Sequence, residues 1–567
     1  MNRKTVNVKN ILLVAIARLG DMLQASPTIA GLKKQNPGAK ITVLTDKEFA
    51  SICNGIPGID EVYQMDLAYL CRNIQEEKEG IVQGYAYLKK TVDELRGRKF
   101  DFCVNMSSSP YTSLLIKLID VEQSRGWLAD DEGNRLINEP WAMLFGAYIF
   151  HSNREYNSIN LVDIMRASAG VTEHPTKLQF NIPEDYKNFG SDFIAQSALT
   201  GKGPLILMQV GASQMKRQWS PARFAYLTRL LVEKFDARIV FTGSASEVPI
   251  IQLVLSQYNH SNLTVAAGKT NLMQLASLLS AGDVFITGDT GPMHLSVAVG
   301  TPVVALFLAS AYLYETGPYS IGNLVIQPQI ACNPCNPNFL CARPDCHGQV
   351  SPELVAYLTH MRLTTPLGQE HTISIPSNLA SPNDVQVYYS AFDKENFLEF
   401  VPLTSFPVRH GKPGEYYEAA RKAYRELWKK ELGPGETQVL DAVPKEAALY
   451  SIDGIEQAIE YSKEGIALIE QLRALVNDPK SSPTSLGQVG FALEVVDRKI
   501  KEVGLTTPAL GALARMFVSA KENLEGKEIN ALVRETKQLY ETTMRRAAYF
   551  DQMFTKIIRG ENHASGN

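Results

Sequence analysis

The chain has 567 residues, 45% of them hydrophobic and 20% charged. That is enough to bury about three cores at roughly 100–200 residues each, and it excludes wholesale disorder. Its 56 Lys and Arg against 60 Asp and Glu leave a net charge of −4, which offers no electrostatic footprint for nucleic acid and no polybasic membrane tail.

At the N-terminus, basic Arg3, Lys4 and Lys9 precede the apolar Ile11–Ala17. A signal peptide would continue to a small-residue cleavage site, whereas Arg18 and Gly20-Asp21 intervene here. The run therefore predicts a first β-strand in a cytoplasmic protein. Its continuous apolar stretch ILLVAI suits a strand buried on both faces. A helix is expected from Leu23 to Gln35, ended by Asn36-Pro37-Gly38, then strands at Lys40–Thr45 and Phe100–Met106. Strand, helix, strand is the parallel βαβ unit, so residues 1–190 predict a Rossmann-like α/β domain.

A second series spans 200–362. Strands are expected at Leu205–Val210, Ala237–Gly243, Asp283–Gly288 and Pro302–Phe307. Ser220-Pro221 opens a helix to about Lys234, another follows from about Glu247, Asn271 caps one that runs to Ser280, and a further one starts near Gly291. The longest apolar run, Val303 to Tyr314, stops at Glu315, short of the ~18 residues of a transmembrane helix. Two open parallel sheets bind ligands beyond the carboxyl ends of their strands, so the cleft between them is the expected active site.

Residues 363–412 read as a mixed linker with β-like fragments such as Val385–Phe392. Residues 413–567 read as a helical bundle. Tyr416–Leu432, Glu456–Val476, Leu486–Val503 and Glu528–Arg559 carry i, i+3, i+4 apolar spacing, interrupted by stretches such as Asp478–Ser485. No motif identifies the bundle's role. It could recruit a protein partner, and a cut near Pro413-Gly414 is expected to leave residues 1–412 folded.

Two turns carry chemistry. Arg18-Leu19-Gly20-Asp21 follows the first strand and opens a helix: glycine lets the backbone approach a ligand, and a carboxylate there is stabilised as the anion. The plainer reading is an ordinary helix cap. Gly288–Phe307 contains Asp289-Thr290-Gly291-Pro292 at a strand-to-helix turn. The N–H groups of Thr290 and Gly291 would form an anion site, with Asp289 and His294 around the same turn. The plainer reading is a glycine-rich connection with a core histidine.

The stretch ILLVAIARLGDMLQASPTIAGLKKQNPGAKITVLT strongly resembles the start of family 9 glycosyltransferases, the ADP-heptose:lipopolysaccharide heptosyltransferases. GDTGPMHLSVAVGTPVVALF resembles the donor-site signature of the same family. Lys216-Arg217-Gln218-Trp219-Ser220-Pro221 is similar to its phosphate-binding loop, although Arg217 rather than Lys216 lies two before the Trp, leaving both cations as candidates. Glu247 stands where the family binds the nucleotide ribose, and Thr316–Ser320 is similar to a short motif after the last core strand. The resemblance covers about residues 9–360.

It implies the GT-B architecture, two Rossmann-like domains across a cleft, and inverting transfer without a catalytic metal. Asp21 would be the catalytic base, beside Gly20 in the acceptor-side turn. Lys216 or Arg217, Glu247, Asp289, Thr290, Gly291 and His294 would hold a nucleotide-diphosphate sugar, with ADP-heptose implied. The acceptor would be a lipopolysaccharide core or related lipid-linked glycan, with the enzyme peripheral at the inner membrane. A protein O-heptosyltransferase of the autotransporter type is the alternative enzyme, and a non-catalytic sugar-nucleotide-binding scaffold the alternative outside catalysis.

Cys332, Cys335, Cys341 and Cys346 fall within fifteen residues. Four such thiols can reach one tetrahedral Zn or Fe, which would be structural because no coordination position stays open. Loose cysteines and disulfides are the other readings. The resemblance adds that autotransporter-modifying members carry a Cys-bound iron at this place.

Overall fold

The computed structural model describes residues 8–16, 18–75, 79–149, 151–381, 383–405, 414–433, 452–524 and 528–558. Arg3, Lys4, Ala17, Pro413 and Arg559, named above, lie outside them. The chain divides into two units: Met1–Ser124 with Ile159–His410, and Arg125–Ser158 with Gly411–Asn567.

The first unit holds a parallel sheet and a mixed one. One uses β1 (Asn10–Val14), β2 (Lys40–Asp46), β3 (Glu61–Met65) and β4 (Phe102–Asn105), in the order β3-β2-β1-β4. Ile11 pairs with Ile41 on one side and Phe102 on the other, and Ile11 to Val14 are fully buried, as a strand covered on both faces requires. The helix expected from Leu23 to Gln35 is instead two, α1 (Leu19–Gln24) and α2 (Ser26–Gln35), joined at Ala25. Pro27 explains the break: it has no N–H and is tolerated only in a helix's first turn, so a new helix starts there.

The second sheet uses β5 (Leu205–Gln209), β6 (Arg238–Thr242), β7 (Leu263–Val265), β8 (Val284–Gly288), β9 (Val303–Leu306), β10 (Leu324–Pro328), β11 (Val385–Phe392) and β12 (Leu398–Pro402). Their order is β12-β11-β10-β9-β8-β5-β6-β7, parallel from β7 through β10, with β11 and β12 added antiparallel. Thus 363–412, expected as a mixed linker, includes two strands of this sheet. Both sheets turn over at a switch point, between β1 and β4 and between β5 and β8, where crossover helices leave a crevice. α3 (Pro221–Phe235) and α4 (Leu272–Ser280) start where expected, the first capped by Ser220 and the second by Asn271. The helix after β8, α5 (Gly291–Val299), ends on Gly300, whose φ of +97° needs a residue without a β-carbon.

The Thr316–Ser320 motif has a packing role. Tyr319 is fully buried and donates to Asp163 Oδ1 at 2.9 Å, where Arg166 Nε also donates at 2.8 Å. Asp163 Oδ2 accepts from the Leu398 N–H at 3.0 Å. A buried carboxylate is tolerated only with its lone pairs satisfied in this way.

The second unit contains the helices Gly414–Leu432, Ile455–Asn477, Pro483–Thr506, Gly511–Glu522 and Ile529–Ile558. Val489, Leu493, Val496, Ile500 and Val503 form the buried stripe of one of them, at the helical period. Residues 125–158, expected within a 1–190 domain, group with these helices. They contribute a hairpin in which Trp127, Leu128 and Ala129 pair with Ile137, Leu136 and Arg135, and the helix Pro140–Tyr148. Asn523 brackets Ile137 from both sides, accepting from its N–H at 3.2 Å and donating to its carbonyl at 2.6 Å. Trp141 donates to the Leu432 carbonyl at 3.0 Å, and Trp428 to the Tyr148 hydroxyl at 2.9 Å. Among the described residues no helix is long and apolar enough to cross a membrane.

Candidate active site

The turns that follow β1 and β8 meet. A β-carbon on Gly20 would lie 2.9 Å from His294 Cδ2, and one on Gly291 would lie 2.8 Å from Leu19 Cδ2. Two glycines, one on each turn, permit this approach. Across it, Gln24 Nε2 lies 3.2 Å from His294 Nε2 in a buried contact. Burial drives the His294 pKa down to about 4, so the imidazole is neutral at pH 7.

Asp21 occupies the first turn of α1, where its Oδ2 accepts from the Arg18 N–H at 3.0 Å. Burial raises its pKa above the usual carboxylate value. The Arg18 N–H and charge pull it down, and nearby Asp289 adds a further push upward. A carboxyl in this balance is a better proton acceptor than a solvated one, which is what a general base requires.

On the other turn, Asp289 Oδ2 accepts from Arg217 Nη1 at 3.0 Å, and Arg217 Nε donates to Ser310 Oγ at 2.8 Å. Arg217 is thereby held beside the start of α5, with the rest of its N–H fork available to an anion. Lys216 faces elsewhere. Its Nζ donates to the carbonyls of Asn336, Pro337 and Phe339 at 2.9, 2.9 and 2.7 Å, which occupies all three ammonium hydrogens. The adjacent cations thus part company: one reaches the turn, the other clamps the cysteine-rich loop.

Thr290 Oγ1 and Thr287 Oγ1 donate to Gln209 Oε1 at 2.8 and 3.1 Å, and Gln209 Nε2 lies 3.3 Å from Glu247 Oε1. Glu247 Oε2 accepts from the Ser244 N–H at 2.6 Å and the Ser244 hydroxyl at 2.9 Å. Gly211 makes room for this carboxylate, since a β-carbon there would fall 1.8 Å from Oε1. Gln209 and Gln24 were missing from the sequence reading. Gln209 left a signal, as the one polar residue of LILMQ, at the carboxyl end of a central strand. Gln24 left a weaker one, a polar side chain on the buried side of α1.

Among the described residues no disulfide joins the cysteines. Cys332, Cys335 and Cys341 each raise the Cys346 pKa, which burial brings to about 11, so the four share a neighbourhood. Yet Cys332 and Cys341 are exposed while Cys346 is buried, and among the described residues no three His, Cys, Asp or Glu side chains converge as metal ligands. As placed, the set does not fit the expected tetrahedral Zn or Fe.

Residues 88–339 match the family model described as glycosyltransferase family 9 (heptosyltransferase). Over those residues the chain is similar to this family. The chain is 23% identical over 304 residues to lipopolysaccharide heptosyltransferase 3 of Escherichia coli, covering 52% of this chain and 82% of the relative. It is 24% identical over 319 residues to the lipopolysaccharide core heptosyltransferase OpsX of Haemophilus influenzae, covering 55% and 82%. Among solved structures, E. coli ADP-heptose lps heptosyltransferase II aligns with a TM-score of 0.46 at 19% identity, over 62% of this chain and 98% of that one. The turns described above that lie on the second sheet fall within residues 88–339, whereas Asp21 precedes them.

Proposed function

We propose that the protein is an inverting glycosyltransferase that moves a heptosyl group from ADP-heptose to a hydroxyl of a lipopolysaccharide core. The observation that carries this reading is the meeting of the Asp21 turn with the Asp289-Thr290-Gly291 turn, which puts a carboxylate of raised pKa beside a helix start with a guanidinium held next to it. The relatives named above support the sugar and the acceptor class.

In this reading the acceptor hydroxyl attacks the anomeric carbon from the face opposite the diphosphate. The Asp21 carboxylate takes the hydroxyl proton as the new C–O bond forms. The anomeric C–O bond breaks, and its electron pair leaves with the nucleoside diphosphate. Arg217 and the N–H groups at the start of α5 stabilise the charge that develops there, so positive charge need not come from a metal. Glu247, beside Gln209, would take the ribose hydroxyls. The cysteine segment has no step in this reaction.

The decisive experiment measures the thermal stability of the full chain with ADP, UDP, GDP and their sugars, followed by transfer to a lipopolysaccharide-core acceptor. A ligand at a hundred times its Kd should stabilise by about 2.7 kcal/mol. Stabilisation by ADP with transfer of heptose is the expected result; stabilisation by another nucleotide alone would overturn the donor assignment.

The two cations give a sharper check. Arg217→Ala should weaken nucleoside diphosphate binding by about 1.5–3 kcal/mol, or roughly 10–150-fold. Lys216→Ala should leave that affinity within a few-fold and instead open residues 336–340 to proteolysis, because their carbonyls lose the ammonium that ties them. Calorimetric titration and limited digestion separate the two outcomes.

A further inference from the structure

The cysteine-rich segment takes no chemical step in the transfer, but it grips the loop that carries Arg217. That loop joins β5 to α3, and its backbone is held by His347, the residue after Cys346. His347 Nε2 donates to the Lys216 carbonyl at 2.8 Å, and the His347 carbonyl accepts from Trp219 Nε1 at 3.3 Å. Both rings are buried. The chain just before Arg217 and the side chain two residues after it are thus tied to one residue.

A second route holds the guanidinium itself. The Ser310 hydroxyl that accepts from Arg217 Nε also donates to Gln214 Oε1 at 3.3 Å, so its single hydrogen is committed, and the residue is fully buried. Ser310 follows Ala309, a non-glycine residue with a φ of +55°. Such a backbone persists only where its surroundings over-determine it. Here the cysteine segment supplies them. The Ala309 carbonyl accepts from the Cys335 N–H at 3.0 Å. Burial pushes the Cys346 thiol pKa up, and a hydrogen bond from the Ala309 N–H draws it back, so the Ala309 peptide is held from both ends.

The two routes start from different points of one segment and converge on one cation. A long cationic side chain is a weak anion ligand while it is free, because ordering it on binding costs affinity. A guanidinium fixed in advance stabilises developing charge without that loss. The Lys216 ammonium ties carbonyls that lie between the two anchor points in sequence, so its removal leaves both routes in place.

We propose that Ser310 and His347 are positioning residues, and that the segment 332–347 serves the transfer by presenting Arg217 to the diphosphate. This rests on the reading of Arg217 as the diphosphate's cation.

The test titrates the full chain with ADP and with adenosine, using Ser310→Ala, His347→Ala and His347→Gln, each alone and combined with Arg217→Ala. Ser310→Ala and His347→Ala should each weaken ADP binding roughly 3- to 30-fold, less than Arg217→Ala does, because Asp289 still holds the guanidinium. Adenosine has no phosphate for the cation to meet, so its affinity should stay within about 2-fold, whereas a general loosening of the fold would weaken both ligands. His347→Gln keeps a donor for the Lys216 carbonyl and should recover ADP affinity to within about 3-fold of the wild type. Without Arg217, neither alanine variant should weaken ADP by more than about a further 2-fold, since a residue that acts through another then has nothing to act on. Equal losses for ADP and adenosine would overturn the proposal. So would losses that persist in the Arg217→Ala background, which would mean that Ser310 or His347 meets the ligand itself. An ADP affinity unchanged by Arg217→Ala would remove the cation assignment and this proposal with it. A chain that passes the binding tests but transfers no heptose would remove the transfer reading alone.

Discussion

Asp21→Asn is expected to lower turnover by roughly 10²–10⁴-fold while leaving nucleotide affinity nearly unchanged, the usual effect of losing a general base. The substitution is gentle structurally. An asparagine oxygen still accepts from the Arg18 N–H that Asp21 now holds at 3.0 Å, so α1 keeps its start. What disappears is a carboxylate able to take the acceptor's proton. The pH profile gives an independent reading. The active form is the carboxylate, so activity falls as pH drops through the Asp21 pKa, and burial has moved that pKa above the ordinary value of 3.8. The acid limb of the wild type should therefore begin at a higher pH than a solvated aspartate would give, and should vanish from the residual activity of Asp21→Asn. Near-normal turnover in the variant would remove Asp21 from the chemistry.

The second large effect concerns truncation. The sequence reading expects residues 1–412 to fold alone, but the structure gives 125–158 partners that lie beyond residue 412. Trp141 and Tyr148 are at most 4% exposed. The Trp141 indole donates to Leu432, Tyr148 lies edge-on to Tyr424 with centroids 6.2 Å apart, and Ser158 Oγ donates to the Arg421 carbonyl at 2.9 Å. Each buried side chain of this size stabilises by roughly 1.5–3 kcal/mol. Uncovering Trp141, Leu144 and Tyr148 together therefore removes an amount comparable with the 5–15 kcal/mol that holds an ordinary domain. A 1–412 fragment should aggregate on expression, whereas a fragment that also lacks 125–158, with 124 and 159 joined by a short Gly/Ser linker, should be markedly more soluble. Soluble yield and circular dichroism of both fragments decide it.

Strands β1, β2, β4, β5, β6, β8 and β9 were legible because each is a short apolar run bounded by turn residues, whereas the half-exposed edge strands β3 and β7 carry no such run and were not read. Asn271 and Ser220 marked helix starts correctly because a side-chain oxygen capping orphan N–H groups is a local event. What failed was non-local. No local pattern in Val385–Phe392 says that it pairs with Leu324–Pro328, nor does the helix Pro140–Tyr148 announce partners almost three hundred residues later. The site divides the same way. Asp21, Asp289 and Thr290 were visible as turn motifs, and the structure brings those turns together. The separate destinations of Lys216 and Arg217 were hidden, since two adjacent cations differ only in what the fold offers each.

The interruption of the first unit by residues 125–158 also has a consequence on the ribosome. Synthesis proceeds at about 5–20 residues per second, so this segment emerges on the order of tens of seconds before the helix Gly414–Leu432 that covers it. During that interval Trp141, Leu144 and Tyr148 have no native surface to bury against. Slow codons between 159 and 410 would therefore lengthen the exposure of this apolar face rather than help it fold.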